Sequence, residues 1–132
     1  MSWVLDASAV LCWLADELGA ARVVEILSGE EPVAIHAVNW LEVQYYLLRR
    51  SEQAWQIALD RIADVGVNLA RDLDDAFLLQ AARIKSHQTP IALGDTFAVA
   101  LAVRRNATLL TTDRAELEKL ANGGACAIEF LR

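Results

Sequence analysis

The strongest indication of the fold of this 132-residue chain comes from residues 3–10, Trp-Val-Leu-Asp-Ala-Ser-Ala-Val. The first three residues of this segment form an apolar run that predicts a buried strand, and residues 7–15 predict a short apolar helix. Asp6 therefore stands between them, at the carboxyl end of the strand. A buried strand followed at once by a helix is typical of a parallel sheet, whose successive strands are connected by helices.

The rest of the chain repeats this alternation. Further strands are predicted at residues 33–36, 67–70, 107–111 and 127–131. Helices are predicted at residues 18–27, 38–50, 51–64, 72–87, 95–105 and 113–120, with Asp72 as an N-cap, Asn106 as a left-handed terminator and a loop at 89–93. The pattern predicts an α/β protein: a three-layer α/β/α sandwich with a mostly parallel sheet of four or five strands, in one domain covering residues 1–132.

The composition narrows the possible classes of function. Apolar residues make up 55% of the chain, above the ~45–50% usual for soluble domains, which predicts apolar surface for a partner or a dimer interface. Charged residues interrupt each apolar run well before the ~20 residues that a membrane span requires. Since no secretory leader precedes the first strand, we expect a soluble, cytoplasmic protein.

The net charge of −6, from 12 basic and 18 acidic residues, argues against a protein that binds nucleic acid through summed positive charge. It is compatible with a nuclease, because divalent cations neutralise clustered carboxylates, and with a basic protein partner. Cys12 and Cys126 are isolated thiols without the spacing of zinc ligands. His36 and His87 are expected to be hydrogen-bonded or solvated side chains and are assigned to no site.

Four acidic residues fall where a parallel sheet forms its ligand sites, beyond the carboxyl ends of the strands. Asp6 follows the first strand directly, and Asp113 closely follows the strand at 107–111. Asp95 begins a predicted helix, and Glu42 lies near the first turn of the helix after the second strand. We therefore predict that four carboxylates from distant segments meet at one edge of the sheet.

Such a group of carboxylates needs compensation. Each pair of unit charges at ~4 Å repels by roughly 4 kcal/mol at an effective dielectric constant of ~20. Either shared protons or hard cations must offset that repulsion, and sets of oxygen ligands suit Mg²⁺ or Mn²⁺. The reaction that such a site favours is hydrolysis of a phosphodiester bond.

Each acid also fits an ordinary structural role. Asp6 has the position of a helix N-cap, and Asp95 at a helix start would interact favourably with the helix dipole. Asp113 and Glu116 have the spacing of a capping box. Glu42 taken alone would be a solvated helix residue, although its neighbours are mostly apolar. The shared position at one sheet edge, and no single residue, indicates a site.

Four motifs follow one another along the whole chain: Leu5-Asp6 with Ser8, Glu42 in the helix after the second strand, Leu93-Gly94-Asp95 before the apolar residues 97–102, and Leu110-Thr111-Thr112-Asp113. Their order and spacing resemble those of the PIN-domain ribonucleases, and more narrowly of the VapC toxins of toxin–antitoxin pairs. The resemblance implies an endoribonuclease that cleaves single-stranded RNA with Mg²⁺ or Mn²⁺. Its implied metal-binding acids are Asp6, Glu42, Asp95 and Asp113.

The resemblance also implies supporting residues and partners. Ser8 and Thr111 match positions whose hydroxyl groups orient acids or water, although Ser8 also suits a helix amide and Thr111 an ordinary strand position. The early helices would form a groove for the C-terminal segment of an antitoxin, which inserts a basic side chain toward the acids, and a homodimer is expected. From its position beside Asp113 alone, Arg114 is proposed to meet an RNA phosphate.

Two other classes of protein compete with a nuclease. A receiver-type signalling domain is also a small parallel α/β unit with an acidic Mg²⁺ pocket. However, the third predicted strand has no aspartate at its tip, and lysine occurs only at Lys85 and Lys119. A catalytically silent module with the PIN fold is the second alternative, against which the presence of all four acids argues.

Overall fold

The computed structural model describes residues 1–87 and 90–132, and within these residues the chain forms five strands and seven helices. The strands are β1 Trp3–Leu5, β2 Val33–His36, β3 Asn68–Ala70, β4 Thr108–Thr111 and β5 Ala127–Phe130. The helices are α1 Ala7–Leu14, α2 Ala20–Leu27, α3 Ala37–Leu48, α4 Glu52–Ala63, α5 Asp75–His87, α6 Leu93–Arg105 and α7 Arg114–Asn122. The predicted loop at 89–93 lies partly outside the described residues, and α6 already begins at its last position.

The five strands form one parallel sheet in the order β3-β2-β1-β4-β5. From β1 the chain builds outward through β2 and β3 on one side, and then returns to place β4 and β5 on the other. The strand order therefore reverses between β1 and β4. In open parallel sheets such a reversal leaves a crevice beyond the carboxyl ends of the two strands, where ligands bind.

Alternate residues of each strand face opposite layers, as the period of two requires. Val4 and Leu109 pack into the core beneath α5, α6 and α7. Leu5 and Leu110 pack into the core beneath α1, α2, α3 and α4. The predicted three-layer α/β/α sandwich is thereby confirmed, with all five strands parallel.

Helix α6 lies deep in this arrangement. Its residues 98–102 are fully buried, because the helix packs against β1, β2 and β4 and also against α3 and α5. Three of these five residues are alanines, whose small side chains let the neighbouring backbones approach closely. The amino-terminal turn of α6, which carries Asp95, is consequently held in place by neighbours in several directions.

The predicted N-cap of the helix at 72–87 was wrong. Helix α5 begins at Asp75, and the carboxylate of Asp74 accepts a hydrogen bond from the backbone N–H of Phe77 at 3.3 Å. Asp72 and Asp74 both pair with Arg104 of α6, at 3.0 Å and 2.6 Å, so this contact does not distinguish them. Asp74 is the cap because it directly precedes the first residue of α5, which begins later than the sequence pattern predicted.

Two helices that carry predicted acids begin earlier than expected. Helix α3 begins at Ala37, so Glu42 lies in its second turn. Helix α6 begins at Leu93, which places Asp95 within its first turn. The early start of α3 comes from His36, whose ring Nδ1 accepts a hydrogen bond from the N–H of Val38 at 3.0 Å. Histidine is not among the residues that usually cap helices.

His36 has a structural role, as the sequence predicted. Its ring is fully buried and stacks on Phe77 with 5.3 Å between the ring centroids. Since Nδ1 accepts a hydrogen bond from Val38, Nε2 carries the proton and donates to the carbonyl oxygen of Asp72 at 2.9 Å. Through these two hydrogen bonds the His36 ring connects the start of α3 to the segment that follows β3.

Large apolar side chains remain exposed on the outer helices, as the high apolar content predicted. They include Leu41, Tyr45 and Leu48 on α3, Ile57 on α4, and Leu78 and Leu79 on α5. None of the helices formed by residues 1–87 and 90–132 has the length and apolar character needed to cross a bilayer.

Candidate metal centre

Asp6 lies at the centre of the sheet, at the crevice between β1 and β4. Leu5 pairs with Leu110 in the parallel register, so Asp6 and Thr111 are neighbours just beyond the paired positions. The backbone N–H of Asp6 donates to the carbonyl oxygen of Leu110 at 3.3 Å. Its side chain is 1% exposed, which makes Asp6 a carboxylate enclosed by the protein.

Three hydrogen-bond donors fix the Asp6 carboxylate. Ser8 Oγ donates to Oδ1 at 2.6 Å, and the N–H of Ala9 donates to the same oxygen at 2.9 Å. Thr111 Oγ1 donates to Oδ2 at 2.5 Å. Burial raises the pKa of Asp6, and the three hydrogen bonds act in the opposite direction. Asp6 is therefore the N-cap of α1 and, at the same time, an oriented acid in the crevice.

Thr111 connects Asp6 to the segment that carries Asp113. Its Oγ1 donates to Asp6 and accepts a hydrogen bond from the backbone N–H of Asp113 at 2.9 Å. In parallel, Ser8 Oγ accepts from the N–H of Thr112 at 3.0 Å. The two hydroxyl groups therefore hold the start of α1 and the end of β4 together.

Asp113 and Glu116 form only half of the predicted capping box. Asp113 Oδ1 accepts from the N–H of Glu116 at 3.2 Å and caps α7. The reciprocal bond does not form, because the N–H of Asp113 is already bonded to Thr111. The Glu116 carboxylate instead accepts from the N–H of Ala92 at 3.3 Å, just before α6.

Glu116 belongs to the site, although the sequence analysis did not predict it as a site residue. Oxygens of Asp95, Asp113 and Glu116 all lie within 4.8 Å of one another. The negative charges of Asp6 and Asp113 both act on Asp95. We call these four residues, Asp6, Asp95, Asp113 and Glu116, the acidic cluster. The available signal was the spacing of Glu116 from Asp113, which is explained equally well by a capping box.

The pKa of Asp95 lies far above the usual range of a carboxyl group. Burial, its hydrogen bond with Glu116 and the charges of Asp6 and Asp113 together raise the pKa of Asp95 to about 9. The same hydrogen bond lowers the pKa of Glu116. The hydrogen bond between the two carboxyl groups requires one proton. Asp95 carries that proton and Glu116 is ionised, because burial disfavours the charged form of Asp95.

Glu42 lies beside this cluster and is not among the three acids that approach within 4.8 Å. Its carboxylate packs against Gly94, the residue before Asp95. Oε1 accepts a hydrogen bond from Asn39 Nδ2 at 3.0 Å. Burial raises the pKa of Glu42, and the bond from Asn39 opposes that increase.

Arg114 follows Asp113 directly but its guanidinium turns to the last strand. The group lies 4.5 Å from the centroid of the Phe130 ring and 3.6 Å from Glu118 Oε1. The side chain is about half exposed, at 52%, so its charge is available to an approaching anion.

The donor set fits a hard divalent cation. It consists of carboxylate oxygens. Among residues 1–87 and 90–132, neither Glu42 nor any residue of the acidic cluster forms a salt bridge with lysine or arginine. Oxygens of Asp95, Asp113 and Glu116 lie within 4.8 Å of one another, and Mg²⁺ in proteins is usually held by one or two carboxylates together with waters. These side chains therefore have the chemistry and the proximity that would be needed to hold such an ion.

The fold and the site together define a three-layer α/β/α domain with a carboxylate cluster at the strand-order reversal of its parallel sheet. The chain belongs to the PIN domain family, whose model matches residues 3–123. The predicted family is confirmed. The strand order also differs from that of receiver-type domains, 2-1-3-4-5, so the receiver alternative is excluded.

Solved structures with the same fold include chains from toxin–antitoxin complexes. VapBC2 of Rickettsia felis, bound to a DNA fragment from its promoter, has a TM-score of 0.76 at 18% identity, covering 98% of each chain. VapBC-5 of Mycobacterium tuberculosis has a TM-score of 0.67 at 22% identity, covering 99% of this chain and 98% of the other. No curated protein matches the chain in a direct sequence comparison. At these identities the structural likeness establishes the fold.

Proposed function

We propose that this protein is a metal-dependent endoribonuclease that hydrolyses phosphodiester bonds of single-stranded RNA, and that it is the toxin of a VapC-like toxin–antitoxin pair. The observation that carries the proposal is the meeting of acids from β1, α6 and α7 at the crevice between β1 and β4. Membership of a family whose members are typically nucleases supports it. The choice of single-stranded RNA as the substrate rests on the resemblance to VapC toxins.

In this proposal the acids bind the metal ion, and two hydroxyl groups position one of the acids. Asp95, Asp113 and Glu116 would hold Mg²⁺ or Mn²⁺ directly, with Asp6 and Glu42 completing the ligand set from β1 and α3. When bound, such an ion lowers the pKa of its water and stabilises the charge on the leaving oxygen. Ser8 and Thr111 would act on Asp6, whose two oxygens they hold in one orientation.

The direct test is incubation of the purified protein with single-stranded RNA. We expect cleavage when Mg²⁺ or Mn²⁺ is present and none after chelation with EDTA. A protein that binds both Mn²⁺ and RNA but leaves the RNA intact would be the catalytically silent PIN-fold module, and this result would refute the proposed activity.

Binding of Mn²⁺ should strengthen as the pH rises. Asp95 holds a proton up to a pKa of about 9, and a metal ion must displace that proton because only the carboxylate is a ligand. Between pH 6 and pH 8 we therefore expect the dissociation constant for Mn²⁺ to fall about tenfold per pH unit, one proton being released per ion. Isothermal titration calorimetry in buffers of different ionisation enthalpy measures both the dissociation constant and the number of protons released.

Glu116→Gln provides the control for this pH dependence. The substitution removes the carboxylate that is hydrogen-bonded to the proton of Asp95. The dissociation constant for Mn²⁺ should therefore depend less steeply on pH, and Mn²⁺ should bind more weakly. Glu118→Gln, on the same helix and exposed, should leave both unchanged. If the Mn²⁺ dissociation constant of the wild type did not change with pH, this would contradict the protonated state assigned to Asp95.

Arg114 remains the proposed contact for an RNA phosphate. Arg114→Ala should lower the rate of RNA cleavage several-fold while leaving Mn²⁺ affinity unchanged, because the guanidinium contacts Phe130 and Glu118 and no acid of the cluster. Cleavage kinetics and Mn²⁺ titration on the same preparation separate the two effects. Unchanged cleavage would remove Arg114 from the proposed site.

An antitoxin is the proposed partner of the groove between α1, α3 and α4. The groove has a volume of about 430 Å³ and is lined by Leu14, Leu47, Arg50, Ser51, Ala54, Ile57, Ala58 and Arg61. Its apolar floor suits apolar side chains of an inserted segment. The net charge of −6 favours a basic partner for the protein as a whole. The charged residues of the groove itself are Arg50 and Arg61, which favour carbonyl or acidic groups in the segment that lies there. The solved structures with the same fold include toxin–antitoxin complexes, which supports this assignment.

Ile57→Glu should abolish binding of the antitoxin without affecting RNA cleavage. Ile57 is 55% exposed at the groove, so a carboxylate there would remain solvated in the free protein and be desolvated in the complex. We expect a short reading frame for a small basic protein immediately upstream of the gene, and the binding test is co-purification with its product. Leu59→Glu, also on α4 and partly exposed, is the matched control, and equal loss in both variants would contradict the groove assignment.

A homodimer is proposed for the exposed apolar side chains of α3 and α5. Leu41, Tyr45 and Leu48 on α3, together with Leu78 and Leu79 on α5, present apolar area to solvent, which is typical of an interface. Light scattering at micromolar concentration should give twice the mass of the chain, and a monomeric mass would contradict the proposal. The proposed place of action is the cytoplasm.

A further inference from the structure

Asn39 occupies an unusual position beside the metal centre. It lies on α3, three residues before Glu42, and is 1% exposed. Its Nδ2 donates at 3.0 Å to Glu42 Oε1 and at 3.0 Å to the carbonyl oxygen of Gly94. Both partners are acceptors only, so the orientation of the amide is determined by its contacts. One side chain therefore bonds an acid of α3 to the first turn of α6.

The other end of the same amide is unsatisfied. Asn39 Oδ1 is buried and has no hydrogen-bond partner among the described residues. Buried polar atoms without partners are few in folded proteins, because each loses its hydration without compensation. An apolar side chain of similar size would avoid that loss. The unpaired Oδ1 makes Asn39 unfavourable for folding. A functional role for its Nδ2, which donates to Glu42, would explain why an asparagine occupies this position.

Gly94 forms the opposite wall of the same contact. A Cβ atom at position 94 would overlap the carboxylate of Glu42, so only glycine leaves room for that carboxylate. Gly94 directly precedes Asp95, the central acid of the cluster. The Glu42 carboxylate is thus enclosed between the amide of Asn39 and the backbone of Gly94, next to the acid with which it would share a metal ion.

We propose that Asn39 is a positioning residue that, together with Gly94, holds the Glu42 carboxylate against the first turn of α6. In this way α3 and α6 present their acids to a metal ion in one fixed arrangement. Asn39 itself touches neither metal nor RNA and acts only through Glu42. The inference rests on the proposed function to the extent that Glu42 serves as a metal ligand.

A double-mutant cycle on Mn²⁺ affinity tests this role. We expect Asn39→Ala to weaken Mn²⁺ binding about tenfold, within the range of roughly 10–100-fold for residues that orient metal ligands. Glu42→Gln should weaken it by at least as much. The double variant should bind no more weakly than Glu42→Gln, because a residue that acts through Glu42 has no effect once Glu42 is replaced. Gln44→Ala, another amide of α3, is the control and should bind as the wild type does.

Thermal unfolding of the metal-free variants separates positioning from stability. A purely structural Asn39 would change the unfolding temperature and leave the Mn²⁺ affinity of the folded protein unchanged. If Asn39→Ala does not fold, Gly94→Ala displaces the same carboxylate from the opposite side. It should weaken Mn²⁺ binding similarly, and unchanged affinity would overturn the inference.

The outcomes also separate this inference from the proposed function. If Glu42→Gln weakens Mn²⁺ binding but Asn39→Ala does not, the inference is overturned and the proposed function stands. Additive losses in the double variant would likewise overturn it, because Asn39 would then act independently of Glu42. If the wild-type protein neither binds Mn²⁺ nor cleaves RNA, both are overturned.

Discussion

Asp6→Asn and Asp95→Asn should each reduce metal-dependent cleavage of single-stranded RNA by at least about a hundredfold, since even residues that only orient metal ligands contribute roughly 10–100-fold. Asparagine keeps the shape of each side chain and removes its negative charge. Asp95 is the cleaner case, because its side chain bonds to Glu116 alone among the acids. At Asp6 the new amide group would face donors from Ser8, Ala9 and Thr111.

A charge-matched control distinguishes loss of the site from loss of charge. Asp60 is exposed on α4, a helix that carries no member of the acidic cluster, and Asp60→Asn should cleave RNA as the wild type does. Circular dichroism should show that Asp95→Asn is folded at the assay temperature. Equal activity of Asp95→Asn and the wild type would refute the assignment of Asp95 to the metal centre.

Thr111→Val should impair both stability and cleavage, although valine has nearly the same shape. The substitution removes the hydroxyl group that donates to Asp6 and accepts from the N–H of Asp113. Leaving buried polar groups unpaired costs about 1–3 kcal/mol, and we expect the free energy of unfolding to fall by that amount. Because Asp6 and Asp113 lose their common partner, RNA cleavage should fall about 10–100-fold.

Thr108→Val is the matched control for this prediction. Thr108 begins the same strand, at the end of the sheet opposite the acidic cluster, and valine suits a strand position. Its free energy of unfolding, measured by urea denaturation, and its cleavage rate should both stay near the wild-type values. If Thr111→Val and Thr108→Val behaved alike, Thr111 would be the ordinary strand residue that its sequence context also suggests.

Much of the fold could be predicted from local patterns. The alternation of apolar strands and amphipathic helices indicated the parallel sheet, and Asn106 ends α6 in the left-handed conformation as expected, with φ of 49°. The position of Asp6 directly after β1 was enough to place it at the carboxyl edge. These features depend on a few consecutive residues, so the sequence alone determines them.

Contacts between distant segments could not be predicted in the same way. The spacing of Asp113 and Glu116 suits a reciprocal capping box, but Thr111 takes the N–H of Asp113 and releases the Glu116 carboxylate to the start of α6. Asn39 likewise gains its contact with Gly94 only when α3 packs against α6. In both cases a residue has two possible partners, and tertiary packing selects between them.

We expect carboxylates from separate segments to form one metal site at the crevice between β1 and β4. Anomalous diffraction from crystals soaked in Mn²⁺ would locate the ion. We expect a peak bounded by the carboxylates of Asp95, Asp113 and Glu116. A peak elsewhere in a protein that cleaves RNA, or no peak at a Mn²⁺ concentration that supports cleavage, would contradict this expectation.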